Sequence, residues 1–222
     1  MGLLQGLGRL FGGQIADQVA AQSAEPLEYP AAISLEGVTL TLHFLERGDR
    51  EAMLDFARRL PAHDLLFLRR DITDPANVDQ WIQDIEEGYY TTIAAVKDDT
   101  IVGYTSVATD RLGWTRHVAE LRVLISHEMR GKNLGRLLTE QAFAFAKQRG
   151  VKKMMAQMTT DQEAAVKVFS RMGFQREARL RNQVMDRDGA LHDLQIMSLD
   201  VDEFQAKIDV MLLSAQNEFL GI

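Results

Sequence analysis

From Val38 to Leu45 apolar and polar residues take turns (VTLTLHFL), the period of a strand with one face in the core. The period then lengthens. Met53, Leu54, Phe56, Ala57 and Leu60 share one side of a helix that Asp49 can cap and Pro61 ends. Asp64 to Arg70 fits a second short helix. Asp74-Pro75 opens a third, to about Glu87, with Val78, Trp81, Ile82 and Ile85 inward. Strand patterns return at Tyr90–Lys97 and Ile101–Thr109, with Asp98-Asp99 as the turn. After a loop with Trp114 at its tip, Val118, Leu121, Val123, Leu124 and Ile125 form a short apolar run with β-branched residues, which predicts a buried strand. The chain passes through Arg130–Gly135 into a helix bearing Leu134, Leu137, Leu138, Ala142, Phe143 and Ala146, stopping at Gly150. Lys153–Thr159 reads as a strand. Asp161 can cap a helix to Met172, ended by Gly173. Two closing strands, Phe174–Met185 and His192–Leu199, meet at an Asp188-Gly189 turn.

Strands dominate the middle and helices cross between them. The order predicts a mixed α/β (α+β) sheet and excludes a regular doubly wound one. Residues 37–200 form the expected domain. Residues 1–36 read as an extension: Leu3, Leu4, Leu7, Leu10, Phe11 and Ile15 fall on one helical face, weakened by five glycines, before a linker with Pro26 and Pro30. That face can meet a membrane surface or a binding partner, or fold back on its own domain or a partner subunit, and the lack of a basic face favours the second. Residues 201–222 predict a C-terminal amphipathic helix through Val201, Phe204, Ile208, Met211, Leu212, Ala215 and Phe219. The terminal helices suit a homodimer.

Charge and composition narrow the classes. A formal net charge of -7 excludes bulk attraction to nucleic acid or anionic membrane. The absence of cysteine excludes disulfides, thiolate metal sites and a cysteine nucleophile, and fits the cytoplasm. No apolar run reaches the roughly 18 residues of a spanning helix, and no cleavable signal peptide is visible. No Cys/His/carboxylate spacing predicts a metal.

Candidate chemistry centres on His117–Arg136. A loop feeding a helix N-terminus leaves amides unpaired at the positive end of the dipole, a place for phosphate. Between Arg122 and Arg136 stand four cations (Arg122, Arg130, Lys132, Arg136) and one anion (Glu128), inside an acidic chain.

These elements and residues resemble the GNAT acetyltransferase superfamily, over about Val38 to Leu199. Its pyrophosphate loop, Arg/Gln-x-x-Gly-x-Gly/Ala, matches Arg130-Gly131-Lys132-Asn133-Leu134-Gly135 except that Asn133 replaces the middle glycine. Its Ala-x-x-x-Tyr-x-x-x-Gly-Phe element matches Ala165, Gly173 and Phe174, with Phe169 in place of the tyrosine. Asparagine tolerates positive φ, so Asn133 can keep the curl that glycine supplies. The resemblance implies a mostly antiparallel sheet of about six to seven strands, helices on both faces and a splayed central strand pair. It implies acetyl-CoA as co-substrate, with the pantetheine arm on backbone groups of Leu124, Ile125 and Ser126. Arg130, Gly131, Lys132, Asn133, Leu134, Gly135 and Arg136 would cradle the phosphates, with Gln162 and Phe169 nearby.

Glu120 is the expected general base, since Ala119-Glu120 is similar in place to bacterial protein-lysine acetyltransferases of the superfamily. A primary amine with pKa about 10.4 must lose a proton before it attacks a thioester. The plainer reading is a strand carboxylate paired with Arg122. Trp114, Arg116 and His117 are candidates for acceptor contact. Phe169 has no proton to give, so water or another group protonates the thiolate, or it leaves unassisted. The sequence therefore predicts direct acetyl transfer to a small-molecule amine or a protein lysine. The alternative is a CoA-binding sensor without turnover.

Overall fold

The computed structural model describes residues 27–66, 68–110, 113–186, 188–206 and 209. The expected N-terminal helix, and the C-terminal helix beyond its helical start at 201–206, lie outside them. Eight strands form one sheet in the order β1-β2-β3-β4-β5-β6-β8-β7. They are β1 (Ala31–Leu35), β2 (Val38–Phe44), β3 (Tyr90–Lys97), β4 (Thr100–Thr109), β5 (Val118–Ile125), β6 (Lys153–Thr159), β7 (Gln175–Met185) and β8 (Leu191–Asp200). Every neighbouring pair is antiparallel except β5 and β6. The count exceeds the six to seven expected. The additional strand is β1, which pairs with β2 through a turn at Glu36-Gly37 (φ 50° and 76°) and lies inside the stretch read as extension.

Among the described residues four complete helices pack on the sheet, α1 (Arg50–Arg59), α2 (Pro75–Glu86), α3 (Leu134–Gln148) and α4 (Glu163–Arg171), beside the helical start at 201–206. α1 and α2 cover one face, where Phe56, Trp81, Tyr104 and Leu124 are buried together. α3 and α4 cover the other, over Leu121, Phe143, Ala156 and Phe169 near the middle and over Val102, Leu134 and Leu138 beside it. Asp74 caps α2 as expected, its Oδ1 accepting the Ala76 N–H at 2.9 Å.

Three expectations change. Asp49 makes no side-chain cap to α1, because its carboxylate accepts the Glu46 N–H in the preceding 3-10 turn. Asp64–Arg70 is not a helix: a 3-10 turn, Ala62–Leu65, follows Pro61, and the chain then runs irregularly. Gln162, not Asp161, holds the α4 N-cap position, and the Asp161 carboxylate instead meets His63 Nε2 at 3.0 Å.

Candidate active site

The parallel pair places the site. β5 and β6 are registered only from Val118↔Lys153 to Leu121↔Ala156, although both strands continue, to Ile125 and Thr159. Beyond Leu121 the two strands separate and leave a gap, the splayed pair that the resemblance implies. The other edge of β5 stays paired with β4 as far as Gly103↔Ile125, and the Ser126 N–H donates to the Val102 carbonyl at 2.8 Å. Antiparallel ladders alternate between hydrogen-bonded and non-bonded pairs. Leu124 therefore faces β4 with its backbone groups, as Ser126 does with its amide. Val123 and Ile125 direct theirs into the gap. Of the residues expected to offer free backbone, Ile125 faces the gap together with Val123, and Leu124 and the Ser126 amide face β4.

The gap continues into a cradle. Gly131 has φ 74° with nothing within 4 Å of where a Cβ would stand. Asn133 is left-handed (φ 61°, ψ 7°), as a glycine there would be, and leads directly into α3. Its Nδ2 donates to Glu36 Oε1 at 2.9 Å, so the side chain is turned to the β1–β2 turn. Leu134 is fully buried below the loop, and Gly135 sits where a Cβ would come within 2.6 Å of Ile125 Cδ1. Ser126 Oγ is buried without a hydrogen-bond partner beside the gap. A 15-residue helix with open N-terminal amides, flanked by Arg130 and Lys132, suits a diphosphate, and the buried hydroxyl suits a polar arm. Arg130 at present pairs with Asp64, and Arg136 Nε with Glu140 Oε1 at 2.7 Å. These residues fit acetyl-CoA.

On the α1–α2 face the register sets one row across four strands: Tyr90↔Ala108, Ala108↔Glu120 and Glu120↔Met155. This row is the floor of a cavity of about 520 Å³, which Arg69, Thr115 and Gln157 also line. A narrower arm of about 40 Å³ adjoins it, lined by Arg69, Arg70, Tyr104, Ser106, Glu120 and Arg122. Glu120 touches both spaces. Arg122, on the same strand face, binds Glu120 Oε1, and Arg69 Nη2 reaches Oε2 at 2.5 Å. Burial pushes the Arg122 guanidinium below its ordinary value, and the Glu120 carboxylate opposes that shift. Burial pushes the Tyr104 phenol up, keeping it protonated at physiological pH. Arg70 Nη2 donates to Asp84 Oδ2 at 2.6 Å, while its Nη1 is buried without a hydrogen-bond partner.

The remaining expected residues are scattered. Trp114 is 98% exposed, and Arg116 and His117 are exposed too. None of the three lines the cavity, which takes Thr115 from that loop. The His117 carbonyl accepts the Lys152 and Lys153 amides at 2.8 and 3.1 Å, tying the starts of β5 and β6 together. Gln162 Oε1 accepts the Thr159 N–H at 3.2 Å at the far end of β6. Phe169 is buried edge-on to Phe174, with ring centroids 5.1 Å apart. Arg69, Tyr90 and Met155 line the cavity although the sequence did not single them out. Register alone would have yielded Tyr90 and Met155; no sequence signal marks Arg69. Among the described residues no group of three or more His, Asp or Glu side chains is placed to hold a metal, and no helix is long and apolar enough to cross a membrane.

A strand pair that opens onto a helix N-terminus suited to a diphosphate, with a carboxylate on the floor of an adjoining cavity, suits an enzyme that moves an acyl group from a CoA thioester. The chain matches the acetyltransferase (GNAT) family over residues 54–174 and belongs to it; it is an acetyl-CoA-dependent N-acetyltransferase. It is 24% identical over 168 residues to the L-methionine sulfoximine/L-methionine sulfone acetyltransferase of Salmonella typhimurium, covering 75% of this chain and 98% of that one. It is 23% identical over 165 residues to the L-amino acid N-acyltransferase MnaT of Escherichia coli, covering 74% and 95%. Its fold matches the structure of yncA from Salmonella typhimurium with its cofactor acetyl-CoA, with a TM-score of 0.63, 21% identity and coverage of 73% and 94%.

Proposed function

We propose that the protein acetylates the primary amino group of a small molecule, an amino acid or amino-acid analogue, with Glu120 as general base. The observation that carries this is the place of Glu120: on the cavity floor, one rung before the β5–β6 ladder ends and the gap begins. Two relatives named for amino-acid chemistry over nearly their whole length support the acceptor class. The arginine-lined arm beside Glu120 supports it independently.

Acetyl-CoA supplies an activated acetyl carbon. The chain's residues do the rest. Glu120 takes a proton from the acceptor ammonium, directly or through water, to expose the nitrogen lone pair. Val123 and Ile125 offer amides on the gap side, where charge develops on the thioester oxygen. The nitrogen–carbon bond forms as the carbon–sulfur bond breaks, with the electron pair leaving on sulfur. The second proton lost by the nitrogen is available to that sulfur, which removes the need for a tyrosine at Phe169.

Glu120→Gln is expected to lower kcat about 10²–10⁴-fold with an amino-acid acceptor while leaving acetyl-CoA affinity unchanged. Thiol release and calorimetry would measure the two. Acetyl-CoA binding without turnover on any amine, or wild-type turnover by the variant, would overturn the reading.

A further inference from the structure

We propose that Arg69 is a specificity-determining switch on the base: it holds Glu120 until the acceptor's own carboxylate takes the guanidinium over. The inference rests on the acceptor and base assigned above, and adds how the wrong amines are refused.

Both Glu120 oxygens are engaged, Oε1 by Arg122 and Oε2 by Arg69. Each oxygen keeps a second lone pair, but Arg69 lines both spaces and sets its positive charge against Oε2, where it repels an ammonium approaching that oxygen from the cavity. The two arginines differ in how easily they let go. Arg122 lies on the same strand with a side chain only 10% exposed, walled in by Tyr104 and Ser106 in the narrow arm. Arg69 comes from the irregular stretch after the 3-10 turn, and its side chain is 69% exposed. So exposed a guanidinium keeps its contact with water, and exchanging one carboxylate for another costs it little.

Charge and hydrogen bonding say what the exchanging group is. The narrow arm carries three cations, Arg69, Arg70 and Arg122, and one anion, Glu120. Asp84 answers Arg70 from outside it. One positive charge is left over, which one carboxylate would neutralise. Arg70 Nη1 is a buried donor with no acceptor, a costly arrangement that a ligand oxygen would relieve. Arg69 and Arg70 are consecutive, and a carboxylate between them would draw Arg69 from Glu120. In an α-amino acid one carbon joins the carboxylate to the ammonium. The anion that opens the clamp therefore brings the proton donor to the base it has freed. An amine without an anionic group leaves the clamp closed.

The test compares matched acceptors with acetyl-CoA: L-methionine against 3-(methylthio)propylamine, and L-phenylalanine against 2-phenylethylamine. Wild type should favour the amino acids by about 100-fold in kcat/KM. Arg69→Gln should cut that ratio at least about tenfold, through a raised KM for the amino acid together with a raised kcat/KM for the plain amine; a plain-amine kcat/KM that stays at the wild-type value would overturn the switch. Arg69→Lys should restore part of the ratio. Equal losses on both members of a pair, or an unchanged ratio, would overturn the switch. Failure of the underlying reading shows elsewhere, as wild type that acetylates neither acceptor or as Glu120→Gln with full turnover. Thermal melts and acetyl-CoA affinity of Arg69→Gln should match wild type, which separates the switch from a folding defect.

Discussion

Asn133 shows what a glycine position asks of its occupant. The loop needs a left-handed residue, and asparagine meets that need at little cost. Alanine does not, and would also lose the hydrogen bond to Glu36. Asn133→Ala is expected to destabilise the protein by about 1–2 kcal/mol, read as a melting temperature lower by several degrees, and to weaken acetyl-CoA binding. Asn133→Gly keeps the left-handed turn and loses only the Glu36 hydrogen bond, so it should cost less than alanine in both. Gly173 is less forgiving. Its φ is 96°, and a Cβ would stand 2.5 Å from Phe204 Cε2, on a rigid ring packed against Phe143. Gly173→Ala should cost about 2 kcal/mol or more, measurable by denaturant unfolding. Both positions were marked in the sequence, where φ preference is a local property. The role of Glu120 was legible only in part. Its pairing with Arg122 follows from spacing along one strand, whereas Arg69 arrives from a loop and leaves no trace in any periodicity.

Among elements, the open edge of β5 makes the sharpest prediction. Acetyl-CoA should slow amide hydrogen exchange at Val123 and Ile125, and leave Leu124 and Ser126, already on the β4 side, unchanged. Equal protection at all four would contradict the ladder's phase. The 3-10 turn after α1 reaches both sides of the gap, through Asp64 to Arg130 and His63 to Asp161. Asp64 thereby occupies a cation suited to phosphate. Asp64→Asn should raise CoA affinity about two- to fivefold by calorimetry, an effect absent when Arg130 is already Gln. The same ties explain why the helix expected over Asp64–Arg70 does not form: its charged residues are spent on distant partners, and tertiary contacts override propensity. β1 went unread because alanines and the flanking prolines mask a short alternation, though Glu36-Gly37 is a hairpin signal. In the β7–β8 hairpin, the His192 side chain holds the Asp186 carboxyl below the usual aspartate range, and the Asn182 amide does the same for Asp193, with Arg179 adding to it. Groups with depressed values stabilise the fold above their unfolded pKa, near 4, and lose that contribution as pH falls through the folded value. Amide protection factors in this hairpin should fall below about pH 4 ahead of those in the core.

At the scale of the molecule the two halves of the site differ in how the chain encodes them. The cofactor half is nearly continuous, from Val123 to Gly135, so a motif can carry it. The cavity proposed for the acceptor draws Arg69, Tyr90, Ala108, Glu120 and Met155 from five separate stretches, joined by register and one ion pair. That is why the cofactor could be named from sequence, and why Trp114, Arg116 and His117, close to Glu120 along the chain, are absent from the cavity lining. The rung Leu121↔Ala156 has one more consequence. If the CoA arm enters between β5 and β6 as proposed, it would meet closed backbone there. The ladder would then act as a depth stop, set one residue past Glu120, about 3.3 Å along the strand. Moving that rung by a residue would shift the delivered carbon by the same step while leaving every side chain of the cradle in place.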